Sequence, residues 1–195
     1  EGPVVGAKFR VVDTQSAVVG EYVSTDSAEP YCFTNLAAGS YTVNASYAGC
    51  VTGTVTGVAV AAGQGHVLAR KADGSLCAWG WNRSGQLGDG TSLVRTGTVA
   101  VTGLTNVTAV AAGGEFSLAV DNAGNAWTWG CNAGGQLGYA GGAGQPVRVT
   151  DVTNAVGVAG SNRSDTLYDF SLLVQSDGTV RACGVNWIGQ LGNGT

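Results

Sequence analysis

The chain is poor in charge. Only 11% of its 195 residues are Asp, Glu, Lys or Arg, against about 25% in an ordinary soluble domain. The nine basic residues are scattered and the formal net charge is −4. Nucleic-acid binding is therefore not expected, because counterion release needs clustered Lys and Arg. There is one His, and none of the five Cys falls in a CxxC pair, so a structural zinc site is not expected. The Gly-rich stretches lack the Lys-Ser/Thr of a phosphate loop, and no cofactor is expected. No apolar run is long enough to cross a membrane. Met is absent, which leads us to expect a processed form or a fragment of a longer product. No stretch keeps the 3.6 period of a long helix.

What remains is Val, Thr, Ala and 33 Gly, a composition of short strands and tight turns. The expected class is all-β: a small β-sandwich over residues 1–50, then a partial β-propeller over residues 51–195. In the first unit, Ala7, Phe9 and Val11 alternate with Lys8 and Arg10, the period-2 pattern of a half-buried strand. Further strands are expected over Val18–Val23, Tyr31–Leu36 and Tyr41–Tyr47, with a hairpin turn at Ala37–Ser40. Cys32 and Cys50 fall in or beside this segment, and spacing leaves their pairing open. The odd Cys count leaves at least one thiol unpaired within the chain.

The second unit is built on a repeat. Gly-Gln-Leu-Gly occurs at 85–88, 135–138 and 189–192, each with an Asn (Asn82, Asn132, Asn186) five positions before its Leu. Trp-Gly stands ahead of the first two, and Cys183-Gly184 ahead of the third. Val58–Gly63 matches Thr108–Gly113, and His66 matches Phe116 and Phe170. The repeats fall near 51–100, 101–154 and 155–195. The third inserts about seven residues, Ser161–Leu167, after Gly160. A repeat this long, made only of strands, reads as a propeller blade, with about three blades of four-stranded antiparallel sheet.

Two resemblances follow. Phe33–Val43 resembles the hairpin of prealbumin-like modules of bacterial surface proteins, of the collagen-adhesin B-repeat type. Some of those modules carry a Lys–Asn isopeptide bond promoted by an acidic residue. The matching position here is Ala45, Lys8 is misplaced for the role, and the family's opening strand falls before Glu1, so no such bond is expected. The three Gly-Gln-Leu-Gly copies, their Asn and Trp-Gly partners and the Ala-Ala-Gly strand ends resemble the regulator of chromosome condensation repeat family. That resemblance implies propeller blades serving as a binding platform. The family includes an exchange factor for a small GTPase and an inhibitor of β-lactamase, and neither activity transfers through the matched residues.

Residues constant across the repeats read as scaffold. Trp79 and Trp129 are expected between blades, each burying area worth about 2–3 kcal/mol. Asn82, Asn132, Asn186 and the three Gln are expected to tie loop backbone. His66 is expected to be a packed strand residue. With a single His, no Ser or Cys has a recognisable base, and Asp73-Gly74 and Asp177-Gly178 read as hairpin turns. Residues that differ between copies are the candidate partner contacts: Trp81, Arg83, Asn162, Arg163, Asp165 and Trp187. An aromatic on a loop is a natural anchor, and the polar insertion is expected to project from its blade.

No catalytic constellation is present, so no enzyme activity is expected. The acidic, Lys-poor composition, with N-x-S/T sequons at Asn44, Asn82, Asn106, Asn162 and Asn193, points to an extracellular or cell-surface protein. Two readings stand. One is a binding or adhesion protein with a protein or glycan partner. The other is a structural subunit of a filament in which copies of the chain complete each other, because fewer than three full blades leave edges and faces open. Blades on a longer chain, or a stable open arc, are further ways to resolve the same openness.

Overall fold

A computed structural model describes residues 8–13, 18–23, 41–46, 53–57, 59–162 and 168–194. The described residues form strands joined by turns, with no α-helix. All strand pairs are antiparallel.

The first sheet has the order β2-β1-β3-β4. Its strands are β1 (Lys8–Asp13), β2 (Val18–Val23), β3 (Tyr41–Ser46) and β4 (Gly53–Gly57). β1, β2 and β3 lie where the alternation placed them. β1 takes one edge of β3, with Phe9 opposite Ala45, and β4 takes the other, with Val43 opposite Val55. The expected strand at 31–36, its turn and the pairing of Cys32 with Cys50 lie outside the described residues. β4 departs from the spacing-based boundary. The 50-residue match carried residues 51–57 into the propeller, whereas β4 pairs with β3, so the first sheet runs to Gly57.

Three blades follow. The first comprises β5 (Ala59–Ala62), β6 (His66–Arg70), β7 (Leu76–Gly80) and β8 (Arg95–Ala100), in that order. The second repeats it with β9 (Val107–Ala112), β10 (Phe116–Asp121), β11 (Ala126–Gly130) and β12 (Ala143–Arg148). The third has three strands among the described residues, β13 (Ala155–Gly160), β14 (Phe170–Gln175) and β15 (Val180–Gly184). The chain is thus all-β, with a partial propeller as its larger part.

The apolar core lies in the seams between blades. Leu68, Leu76, Ala78 and Leu87 of the first blade pack with Val107, Ala112, Ala119 and Trp129 of the second. Leu118, Ala126 and Leu137 of the second pack with Ala155 and Leu173 of the third. One loop design serves all three blades. The Asn82 side-chain oxygen accepts from the Leu87 N–H, as Asn132 does from Leu137 and Asn186 from Leu191, at 2.9 Å each. Gln86, Gln136 and Gln190 accept from the N–H of Ser84, Gly134 and Ile188 at 2.9–3.0 Å. Asn82, Gln86 and Gln136 are fully buried, so their backbone-tying role is what burial requires.

The seam is closed by a polar contact. The Gln86 carbonyl accepts from Ser117 Oγ at 2.8 Å and from Trp129 Nε1 at 2.9 Å. Gly88 is at φ +70°, and a Cβ there would stand 2.8 Å from the indole nitrogen. Glycine is needed here both for the turn and for the approach of the ring. In the second seam Ser171 Oγ donates to the Gln136 carbonyl at 2.6 Å, and Cys183 stands at the indole's place beside Gly138. Trp129 is buried as expected. Trp79 is only half-buried, against Val60, Ala69 and Cys77.

This difference is measurable. Trp129→Ala is expected to lower unfolding free energy in urea by about 3–5 kcal/mol, and Trp79→Ala by clearly less. Equal losses would contradict the placement of Trp129 in a seam that Trp79 lacks.

Candidate functional site

Successive strands of a blade alternate in direction, so the turn between its first two strands and the loop between its last two lie at the same end. That end carries residues 63–65 and 81–94 of the first blade, 113–115 and 131–142 of the second, and 161–162, 168–169 and 185–194 of the third. Trp81, Arg83, Asn162 and Trp187 therefore share one face. Arg163 and Asp165 belong to the same connection but lie outside the described residues.

Trp81 follows Gly80. Its N–H donates to the Gly65 carbonyl at 2.7 Å, and its Cβ sits where Gly65 has no side chain. The indole is 38% exposed. The Arg83 guanidinium lies over it, 4.8 Å from the ring centroid, a cation–π contact that orients the N–H fork. Arg83 makes no ion pair with any described residue, whereas Arg95 is held by Asp89 at 2.8 Å. Asp89 also accepts from Asn82 and Thr91. Burial alone would raise its carboxyl, but these bonds together hold it below the usual carboxylate range. The loop bearing Trp81 and Arg83 is thereby stiff. A cleft of about 550 Å³ opens beside it, lined by Arg83, Thr91, Ser92, Leu93 and Gly142. Leu93 in its lining is an exposed apolar side chain, as is the next residue, Val94.

Trp187 is 68% exposed, with its ring edge-to-face with Tyr168 at 5.7 Å. Ile188 beside it is 75% exposed. Spacing did not single out Tyr168, Ile188 or Leu93. Ile188 carried a signal, since it stands where the other copies have Ser84 and Gly134.

The insertion begins differently from expectation. The Ser161 N–H donates to the Phe170 carbonyl as Gly63 does to His66 and Gly113 to Phe116. Ser161, not Gly160, thus occupies the repeat's Gly position. At Gly63 and Gly113 a Cβ would run into the His66 and Phe116 rings. Ser161 instead uses its Oγ to accept from the Phe170 N–H and to donate to Asp169. Its neighbour Asn162 turns inward, half-buried, and donates to the Ala62 carbonyl of the first blade at 3.3 Å.

His66 is packed, 1% exposed. It also has a partner that no spacing revealed, Ser117 Oγ at 2.8 Å, 51 residues away in the next blade. The Ser117 proton goes to the Gln86 carbonyl, so His66 Nε2–H is the donor and the imidazole is neutral. A serine whose proton points away from the histidine, in a seam closed to solvent, is not set up as a nucleophile. Burial pushes the His66 pKa down to about 4 and raises the Cys77 and Cys183 thiols. No group of metal-ligating side chains occurs among the described residues. The face presents indoles, an oriented guanidinium and exposed apolar side chains.

Models of the regulator of chromosome condensation (RCC1) repeat match residues 73–120 and 123–164 in one form, and 58–86 and 107–136 in another. The blades belong to the RCC1 repeat family. Human WBSCR16 is similar at 25% identity and TM-score 0.58, over 69% of this chain and 34% of that one. Yeast RCC1 (Prp20), solved bound to Kap60, is similar at 23% and 0.53, over 65% and 31%. Prp20p of Saccharomyces cerevisiae, described with its binding properties to Gsp1p and histones, is similar at 19% and 0.55, over 74% and 39%. The chain spans about a third of the length of these RCC1-like structures. No curated protein matches its sequence.

The buried imidazole sets a pH dependence. The unfolded chain binds a proton at His66 near pH 6.5, and the folded chain only near pH 4. Between these values the unfolded state holds more protons, so stability falls as pH drops, by about 3 kcal/mol in all. His66→Phe, the residue found in the other two RCC1 repeats, is expected to flatten urea stability between pH 6.5 and 4. An unchanged slope would contradict the neutral buried imidazole.

Proposed function

We propose that this chain is a non-catalytic binding protein, engaging a protein partner through the loop face of its RCC1-repeat blades. The observation that carries the reading is the distribution of variation. In the first two repeats the constant Gln and Leu are buried in seams and loops, while Trp81, Arg83, Asn162 and Trp187, which differ between copies, share one face. The stacked Trp81–Arg83 pair loses little side-chain entropy on docking, which favours a hot-spot role. Prp20, a likeness in fold, was solved bound to Kap60, and this supports a protein partner. An exposed indole also suits a sugar ring, so a glycan is the second candidate ligand.

The setting we propose is extracellular or at a cell surface, with an adhesive role. Lys-poor, acidic composition supports it, as does the likeness of residues 33–43 to prealbumin-like surface modules. We take residues 1–57 to be such a module. The donor geometry of His66 toward Ser117 supports the absence of catalysis. A second reading, a structural subunit of a homopolymeric surface assembly, is supported by the low charge and the odd number of Cys.

A photocrosslinking residue at Trp81 tests the first reading. It is expected to capture a protein from cell-surface extracts, with capture lost on adding Arg83→Ala. A crosslinker at exposed Thr105, on the opposite face, is expected to capture nothing. Equal capture at both positions would contradict the assignment of the loop face.

A further inference from the structure

In each blade the residue after the constant loop Asn is exposed. It is Arg83 in the first, Ala133 in the second and Trp187 in the third. The second blade packs against a neighbour on either side, so the exposure of Ala133 belongs to the position itself. The scaffold does not fix the residue here, and its three occupants differ in chemistry.

Arg83 lines the cleft of about 550 Å³ between the first two blades. One wall is its own loop, at Arg83–Gly85 and Gly90–Leu93, and the other is Gly142 and Gly144 of the second blade. The Gly90 N–H donates to the Gly144 carbonyl at 3.0 Å and joins the two walls. Among the lining residues Arg83 alone carries a charge. Two carboxylates bond this loop, and neither lines the cleft. Asp89 is held by Arg95, Asn82 and Thr91, and Glu115 accepts from Ser84 Oγ at 2.6 Å. The guanidinium, held over the Trp81 ring, thus brings a positive charge with no described counterion to the cleft of a chain whose net charge is −4.

An anion complements that charge. One guanidinium matches one carboxylate through two parallel N–H bonds, whereas phosphate groups are taken by clusters of Arg. The lining also includes Leu93, apolar and 61% exposed. It includes no aromatic ring, and Arg83 covers one face of the nearby indole, so the cleft gives a sugar acid nothing to stack on. We infer that the cleft is a subsite for an acidic side chain of a protein partner. Its carboxylate pairs with the Arg83 fork, and an adjoining apolar side chain lies against Leu93. The inference rests on the loop-face reading and names the chemistry that this face selects.

Arg83→Ala gives the first blade the residue that the second already carries at this position, so the urea midpoint is expected to be unchanged. A random heptapeptide display library, panned on the full chain and its variants, reads the selectivity. The wild-type chain is expected to enrich Asp or Glu beside an apolar residue. A peptide so selected is expected to bind Arg83→Ala about tenfold more weakly or worse. Arg83→Glu is expected to turn the selection toward Lys and Arg. Equal enrichment of acidic peptides on Arg83→Ala would overturn the subsite. Enriched peptides that lack an acidic residue yet block photocapture at Trp81 would overturn it while leaving the loop-face reading standing. Acidic peptides captured at Thr105 rather than Trp81 would overturn both. Arg83-dependent binding of a uronic-acid oligosaccharide, with no peptide enriched, would overturn the assignment to a protein side chain.

Discussion

The carbonyl of Gln86 is the point on which the propeller segment depends. It is a backbone acceptor enclosed in an apolar seam, and an unsatisfied carbonyl there would cost about 1–3 kcal/mol. Two side chains of the next blade, Ser117 and Trp129, reach it. It is presented by a loop that Asn82 and Gln86 tie through their own amides. Gly88 leaves room for the indole. The Gly-Gln-Leu-Gly copies are thus the device by which one blade holds the next.

The device tolerates change on one side of the seam more than on the other. In the second seam Cys183 replaces the indole and one donor remains, from Ser171 to Gln136. The loop wiring is unchanged there. Because seam burial and loop bonds carry the fold, the outward side chains of the same loops are free to differ. Trp81 with Arg83, and Trp187 with Tyr168, are such differences. Low charge fits this design, since the seams are apolar and the loops are held mainly by amides and hydroxyls, with the Asp89–Arg95 ion pair added in the first.

Much of this was legible as periodicity. Three copies of one loop, and strands ending in Gly, predicted the blades, their order and the burial of Trp129. The packing of His66 followed from Phe116 and Phe170 at its equivalents. What escaped did so for physical reasons. The His66–Ser117 bond joins neighbouring blades, and contacts across a seam leave no local pattern. The placing of β4 in the propeller followed from the match of Val51-Thr52-Gly53 to Val101-Thr102-Gly103 at a spacing of 50, whereas β4 pairs with β3, and strand sequence does not name the partner strand. The one-residue error at Gly160 arose because Ser161 does with a hydroxyl what Gly63 and Gly113 do by lacking a side chain. Trp187 was noticed as an aromatic on a loop, but its edge-to-face contact with Tyr168 needed three dimensions.

The central claim is that the Gln86 carbonyl is the shared acceptor that locks the seam. A double-mutant cycle in urea, combining Ser117→Ala with Trp129→Phe, tests it most directly. Either single variant leaves one donor on the carbonyl, and the pair leaves none. The account predicts that the double variant loses more stability than the sum of the singles, by about 1 kcal/mol or more. Losses that add to within about 0.5 kcal/mol would contradict it.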